Sequence, residues 1–174
     1  MKKLVAVVPL ALGAALLVAP PAAADDRRCS GTIKAVSIDD NVVVPAGATC
    51  RLLGTRIDGN VLVNRNATLV ARGVRVGGNI QAENHERVVV RPRSVDDRTI
   101  RSRVGGSIQL KQGDGGRLLR NVVDADIQLF SNDGRFDVRR NRVDGNLQCK
   151  SNDPGPVGDN NRVSGNKENQ CRGF

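Results

Sequence analysis

The stretch Val143-Asp144-Gly145-Asn146-Leu147-Gln148-Cys149 gathers a carboxylate, a glycine turn, two amides and a thiol within seven residues. Alone it resembles a small polar site. Along the chain it is one of a series, preceded by IDGNVLV from Ile57, VGGNIQA from Val76, VGGSIQL from Val104 and VDADIQL from Val123. A single active site has no use for repeated copies of itself, so the stretch reads as a unit of scaffold.

Taking the aliphatic residue that opens each unit as an anchor gives Ile38, Ile57, Val76, Val104, Val123, Val143 and Val163, at spacings of 19, 19, 28, 19, 20 and 20 residues. One interval is long, by the size of an inserted loop. Four and six residues beyond the anchors stand further apolar residues: Val42 and Val44, Val61 and Val63, Ile80 and Ala82, Ile108 and Leu110, Ile127 and Leu129, Leu147 and Cys149. That alternation is the period of a strand. A looser apolar cluster follows half a repeat later, as in Ala67, Leu69 and Ala71 or Phe136 and Val138.

A repeat this short cannot bury its own apolar face, whereas stacked repeats share one continuous interior. The expectation is an all-β chain folded as a right-handed parallel β-helix, a β-solenoid of about seven coils of 19–20 residues. It spans 25–174 as a single domain, with a surface insert near 83–99 in the long interval. A β-sandwich also has short strands at regular intervals, but it gives no reason for the sequence itself to return. A left-handed hexapeptide helix requires coils in multiples of six, which 19 and 20 are not.

Stacking turns positions into columns. Three residues after the anchors stand Asn41, Asn60, Asn79, Ser107, Asp126, Asn146 and Asn166, most of them preceded by glycine. At the strand spacing of about 4.8 Å such a column can form a ladder of side-chain hydrogen bonds. The glycine fits a sharp bend, or a place with no room for a side chain.

The recurring Gly-Asn corners, the early NVVVPAGATC and the terminal GNLQC followed by GNKENQC resemble the small secreted right-handed parallel β-helix proteins of high-GC Gram-positive bacteria. The resemblance covers most of 29–171 and implies a secreted solenoid; it brings no active site with it. In architecture alone the chain is also similar to the bactofilins, which are cytoplasmic and lack these cysteines.

Residues 1–24 begin with Lys2 and Lys3, run apolar from Leu4 to Ala19 and close on small residues, the pattern of a secretory signal peptide cut after Ala24. Pro9, Pro20 and Pro21 interrupt the run, short of the roughly 20 residues that a membrane span needs. The expected location is therefore extracellular or cell-wall associated, without a span. Removing Lys2 and Lys3 lowers the formal charge from +9 to +7.

Cys29, Cys50, Cys149 and Cys171 in an exported chain imply two disulfides. Cys50 belongs to the first coil and Cys149 to the sixth, about 24 Å apart at the strand spacing, whereas a disulfide needs α-carbons within about 7 Å. Only Cys29 with Cys50 and Cys149 with Cys171 remain. There is no Cys-x-x-Cys, and the one histidine, His85, falls in the insert. We therefore expect no metal site, no cofactor, and a solvated histidine.

Asp124, Asp126 and Asp144 lie on adjacent coils and are the basis of one alternative, a polysaccharide-acting enzyme with paired carboxylates. Secreted sugar clefts usually use Trp or Tyr platforms, and this chain has neither. The reading we carry forward is non-catalytic. One residue before the anchors the column is Ser37, Arg56, Arg75, Arg103, Val122, Arg142 and Arg162. Arg56 and Arg142 share a face with Asp58 and Asp144, whereas Arg75 and Arg103 are flanked by Gly77 and Gly105. Together with Arg87, Arg91, Arg93, Arg98 and Arg101 in or near the insert they form the candidate binding face. The expected partner is an anionic cell-wall polymer or another surface protein rather than a specific nucleic acid, and the stapled ends favour a monomer.

Overall fold

The computed structural model describes residues 26–174, all-β and without a helix among them; the segment 1–24 read as a signal peptide lies outside the described residues. Three parallel sheets run the length of a solenoid of about eight turns. The first holds Arg27–Arg28, Val42–Val44, Val61–Val63, Ile80–Glu83, Ile108–Lys111, Ile127–Phe130, Leu147–Lys150 and Lys167–Asn169. The second holds Gly31–Ile33, Thr49–Leu53, Thr68–Arg72, Arg87–Arg91, Gly115–Leu119, Arg135–Arg139 and Val157–Asp159. The third is made of two-residue strands at the anchors, from Ser37–Ile38 to Arg162–Val163. The extra turn arises because Arg27–Arg28 pairs with Val42–Val43 ahead of the first anchor, where no copy of the motif marks it.

Registers follow the repeat. Ile80 lies between Val61 and Ile108, and Val104 between Val76 and Val123. Alternation sends Val42, Val61, Ile80, Ile108, Ile127 and Leu147 inward as one fully buried column. With so few aromatics the interior is built from small aliphatic contacts, each burying modest area. Phe136 is the exception, and its ring fits because Gly116 lies beneath it: a Cβ there would stand 2.8 Å from the ring.

The corner motif is held by its ladder. The Asn60 backbone N–H donates to Asn41 Oδ1 at 2.7 Å, Asn79 to Asn60 at 2.8 Å, and Ser107 to Asn79 at 2.8 Å. The ladder continues as Asp126 N–H to Ser107 Oγ at 3.2 Å, Asn146 N–H to Asp126 Oδ1 at 2.6 Å, and Asn166 N–H to Asn146 Oδ1 at 2.9 Å. The glycine has a direct steric cause. A Cβ on Gly59 would lie 2.6 Å from Asn41 Oδ1, and on Gly165 it would meet Asn146 Oδ1 in the same way. Ala125 departs from the pattern where the preceding coil carries Ser107, whose shorter side chain leaves room. Asp40 departs from it in the first coil, which has no complete coil before it.

Two further ladders run inside the wall. Asn121 Nδ2 donates to Asn141 Oδ1 and Asn141 Nδ2 to Asn161 Oδ1, both at 3.0 Å, and each amide also donates to an inner carbonyl, Val90 or Leu118, at 2.9 Å. At the next corner Asn132 Nδ2 donates to Asn152 Oδ1 at 2.7 Å, and Asn152 Nδ2 to Gln170 Oε1 at 2.9 Å. Asn121, Asn132 and Asn141 are almost fully buried, so these bonds replace water that cannot reach them.

The disulfides pair Cys29 with Cys50 and Cys149 with Cys171, at Cα separations of 5.5 and 5.3 Å. Each joins neighbouring coils at one end of the stack, where a coil has a neighbour on one side only. In the chain-entropy account each is worth about 3 kcal/mol.

Val88–Val90 continue the second sheet, pairing with Leu69–Ala71 on one side and Gly116–Leu118 on the other. What leaves the stack is a short antiparallel hairpin, Arg93–Val95 against Arg98–Ile100. Asp96 and Asp97 turn it with φ of 44° and 61°, a two-residue turn of the kind that suits strand twist.

The ladders differ in exposure, and their substitutions should differ accordingly. Asn141→Ala takes the acceptor from the buried Asn121 N–H and amide and a donor from the Leu118 carbonyl, and is expected to cost about 2–4 kcal/mol, a penalty of about 1–3 kcal/mol for each buried group left unpaired. Asn166→Ala, at the exposed end of the outer ladder, should cost under about 1 kcal/mol. Urea unfolding of the two variants beside the parent checks the difference; equal losses would show that the inner ladder carries no special weight.

Candidate anion-binding site

The structure distributes the arginines singled out in the sequence over four places. Arg75 and Arg103 are in register on neighbouring coils of the third sheet, both exposed. Arg103 is not free: its Nη1 reaches Asp124 Oδ1 of the following coil at 3.3 Å. That corrects the expectation that glycine at Gly105 leaves it unpaired, because a long side chain can cross one coil spacing. Arg75 makes no ion pair among the described residues. The expected pairs Arg56–Asp58 and Arg142–Asp144 are present at 3.0 and 3.4 Å.

Arg87 and Arg91 lie on the outer face of the second sheet. Arg91 stacks in register on Arg72, and neither Nε has a hydrogen-bond partner. Burial first, then the neighbouring guanidiniums of Arg72 and Arg117, lower the pKa of Arg91 from the ordinary arginine value. Arg117 and Arg139 close on Asp137, and Arg139 also reaches Asp159 at 3.1 Å, so this face is a mixed network of charge.

Arg93 is structural. Its Nη1 donates to the Leu53 carbonyl at 3.1 Å, and it seats the hairpin against Gly54 and Gly73, where a Cβ would come within 2.7 and 2.8 Å of it. Arg98 stands exposed on the hairpin's second strand.

Arg101, at the foot of the hairpin, enters a different setting. With Arg140, Arg142, Arg162, Asn141 and Asn160 it lines an open groove of about 510 Å³ at the corner between the second and third sheets. Four arginines line it and, among the described residues, no carboxylate does. Of the four, only Arg142 has an ion-pair partner among the described residues. Arg140 escaped the sequence reading because it sits three residues before its anchor, a column of Gly54, Gly73, Arg101, Arg120, Arg140 and Asn160. The signal was available in that column.

No protein-family model matches the chain, and no curated protein or solved structure matches it. The reading of the groove therefore rests on its own chemistry.

The aspartates of the enzymatic alternative are all engaged. Asp124 pairs with Arg103, Asp144 with Arg142, and Asp126 Oδ1 accepts the Asn146 backbone N–H at 2.6 Å and its amide at 3.3 Å. His85 also differs from expectation. Rather than a solvated loop residue it is fully buried, covering Gly113 and meeting the Phe136 ring edge-on at 6.0 Å. The strand that continues the stack draws it inward, and Gly113 provides the space. Neither ring nitrogen has a hydrogen-bond partner. Burial lowers its pKa from 6.5 to about 4, the Asp114 carboxylate and the Ala82 backbone opposing only in part.

His85 therefore stays neutral in the fold down to about pH 4, whereas in the unfolded chain it takes up its proton near pH 6.5. Stability from this group is complete above pH 6.5 and falls as pH drops through that window, by roughly 3 kcal/mol in all. Urea unfolding of the parent and His85→Phe at neutral pH and near pH 4.5 checks this. The variant should lose less stability than the parent on acidification, and equal losses would show that the buried ring does not govern the response.

Proposed function

We propose that this chain is an exported, non-catalytic structural or binding protein that associates with an anionic cell-wall or cell-surface polymer through its arginine-rich flank. Two disulfides point to an oxidising, extracellular setting, and among the described residues no helix is long and apolar enough to cross a membrane. The leader-like segment 1–24 supports export.

The corner groove carries the polymer reading. Elsewhere on the outer wall, Arg56, Arg103, Arg117 and Arg139 pair with aspartates one residue or one coil away. At this corner four arginines line one groove that no carboxylate of the described residues lines. Like charges stacked on neighbouring strands are destabilising, and an anion bound between them relieves that cost. Arginine suits phosphate or carboxylate because its planar fork donates two parallel hydrogen bonds. The engaged state of Asp124, Asp126 and Asp144 favours a scaffold role for the aspartates over the enzymatic alternative.

Binding of purified teichoic-type wall polymer to the mature chain should be measurable at low ionic strength. It should weaken steeply as salt shortens the Debye length to about 3 Å at 1 M. The triple change Arg101→Ser, Arg140→Ser, Arg162→Ser should weaken it about tenfold or more, equivalent to about 1.4 kcal/mol, whereas Arg56→Ser, outside the groove and paired with Asp58, should leave it nearly unchanged. Absence of binding by the parent at low salt would reject the proposal, as would undiminished binding by the triple variant.

A further inference from the structure

We infer that the groove takes a linear polyphosphate or polyphosphodiester laid parallel to the solenoid axis, rather than a single anion. This deepens the anionic-polymer reading and rests on it. The groove is assembled from successive coils along one edge: Arg101 from the coil bearing the hairpin, Arg140, Asn141 and Arg142 two coils on, and Asn160 and Arg162 on the next. At the strand spacing, Arg101 and Arg162 are three coils and about 14 Å apart. One phosphate can engage one or two of these guanidiniums, whereas a chain of anions along the axis can engage all of them.

The corner column shows where such a chain would start and run. At its upstream end the column is Gly54 and Gly73, both covered by Arg93 of the hairpin. Beyond the hairpin foot it becomes Arg101, Arg120 and Arg140 and is uncovered, all three side chains exposed. The hairpin thus acts as an end-stop, and the edge is open only toward the C-terminal coils.

The backbone turns this corner through the left-handed region. Gly54 and Gly73 hold φ of 70° and 60°, while Arg120 and Arg140 hold 52° and 55° at the equivalent positions. The left-handed region suits glycine or asparagine and costs other residues roughly 1 kcal/mol or more. Asn160, the next residue of the column, conforms to that preference at φ 54°. Gln112, Ser131 and Ser151 hold the same region at another corner, so the conformation belongs to the turn of the coil; at this corner it carries arginines, exposed on successive coils.

Chain-length dependence tests the geometry. Affinity of the mature protein for inorganic polyphosphate chains of graded length, and for orthophosphate, is measured by calorimetry at one low salt concentration. Affinity per chain should rise by at least about tenfold, or about 1.4 kcal/mol, from orthophosphate to a chain that spans the groove, and then level off. Arg101→Ser and Arg162→Ser, at opposite ends, should each lower affinity for long chains and bring the plateau to shorter ones, while the short-chain affinity stays within about twofold, or about 0.4 kcal/mol. Unchanged thermal unfolding of these exposed-site variants shows that the fold is intact. Orthophosphate binding as tightly as long chains would overturn the inference, and so would affinity that climbs without a plateau in parent and variants alike. Long chains that bind irrespective of Arg101 and Arg162 would overturn it while leaving polyanion binding at another face; if neither polyphosphate nor wall polymer binds, both readings fall.

Discussion

Parallel stacking in strict register is the constraint on which everything else in this molecule depends. It places each side chain about 4.8 Å from its counterpart on the next coil, so every position is tested against a copy of itself. Aliphatic residues pass that test by packing. Amides pass it because each offers both a donor and an acceptor, and the wall of this solenoid accordingly carries Asn or Gln columns at several positions. Arginines gain nothing from it, since like charges in register repel, as where Arg91 stacks on Arg72.

The amide columns also have direction, and direction creates ends. In the outer corner ladder each residue donates to the coil before it, and Asn41 Nδ2 at the front donates to Asp26 Oδ1 at 3.0 Å. On the outer face of the first sheet a second column runs the other way, Gln81 to Gln109 to Gln128 to Gln148, and finishes on Glu168 Oε2 at 3.0 Å. Both acceptor ends are thus closed by a carboxylate, which accepts without having an N–H to leave unmatched and makes the stronger, charge-assisted bond. Together with the disulfides, which tie the first and last coils, these carboxylates finish a structure whose middle repeats but whose ends cannot.

How much of this was legible in the sequence follows from the same constraint. Columns repeat, so the anchors, the Asn41 to Asn166 ladder and the cysteine pairing could be read from spacing alone. Interactions that cross between columns do not repeat and were not legible: Arg103 reaching Asp124, Arg93 folding over Gly73, and His85 covering Gly113. His85 falls in the part of the long interval that reads as a loop, near 83–99, whereas the stack resumes at Arg87 and only the hairpin leaves it. The inner Asn121, Asn141 and Asn161 column was readable two residues before the anchors, but the alternation pattern directs attention to apolar residues and passes over buried amides. At the candidate site, Arg101 was identified and Arg140 was not, since its column mixes glycine, arginine and asparagine and becomes coherent only once the left-handed corner is seen.

Departures from the repeat carry more information than the repeat itself. Ala125 replaces the corner glycine on the coil that follows Ser107, so one substitution makes room for the other and the ladder survives. Gly116 and Gly113 replace larger residues where Phe136 and His85 need space, and the interior survives. Arg120 and Arg140 stand at a left-handed corner held by Gly54 and Gly73 on earlier coils, and neither has an ion-pair partner among the described residues. Gln112, Ser131 and Ser151 hold the same region at another corner, exposed like the two arginines, so the turn of the coil sets the backbone while the side chain it carries is left to the surface.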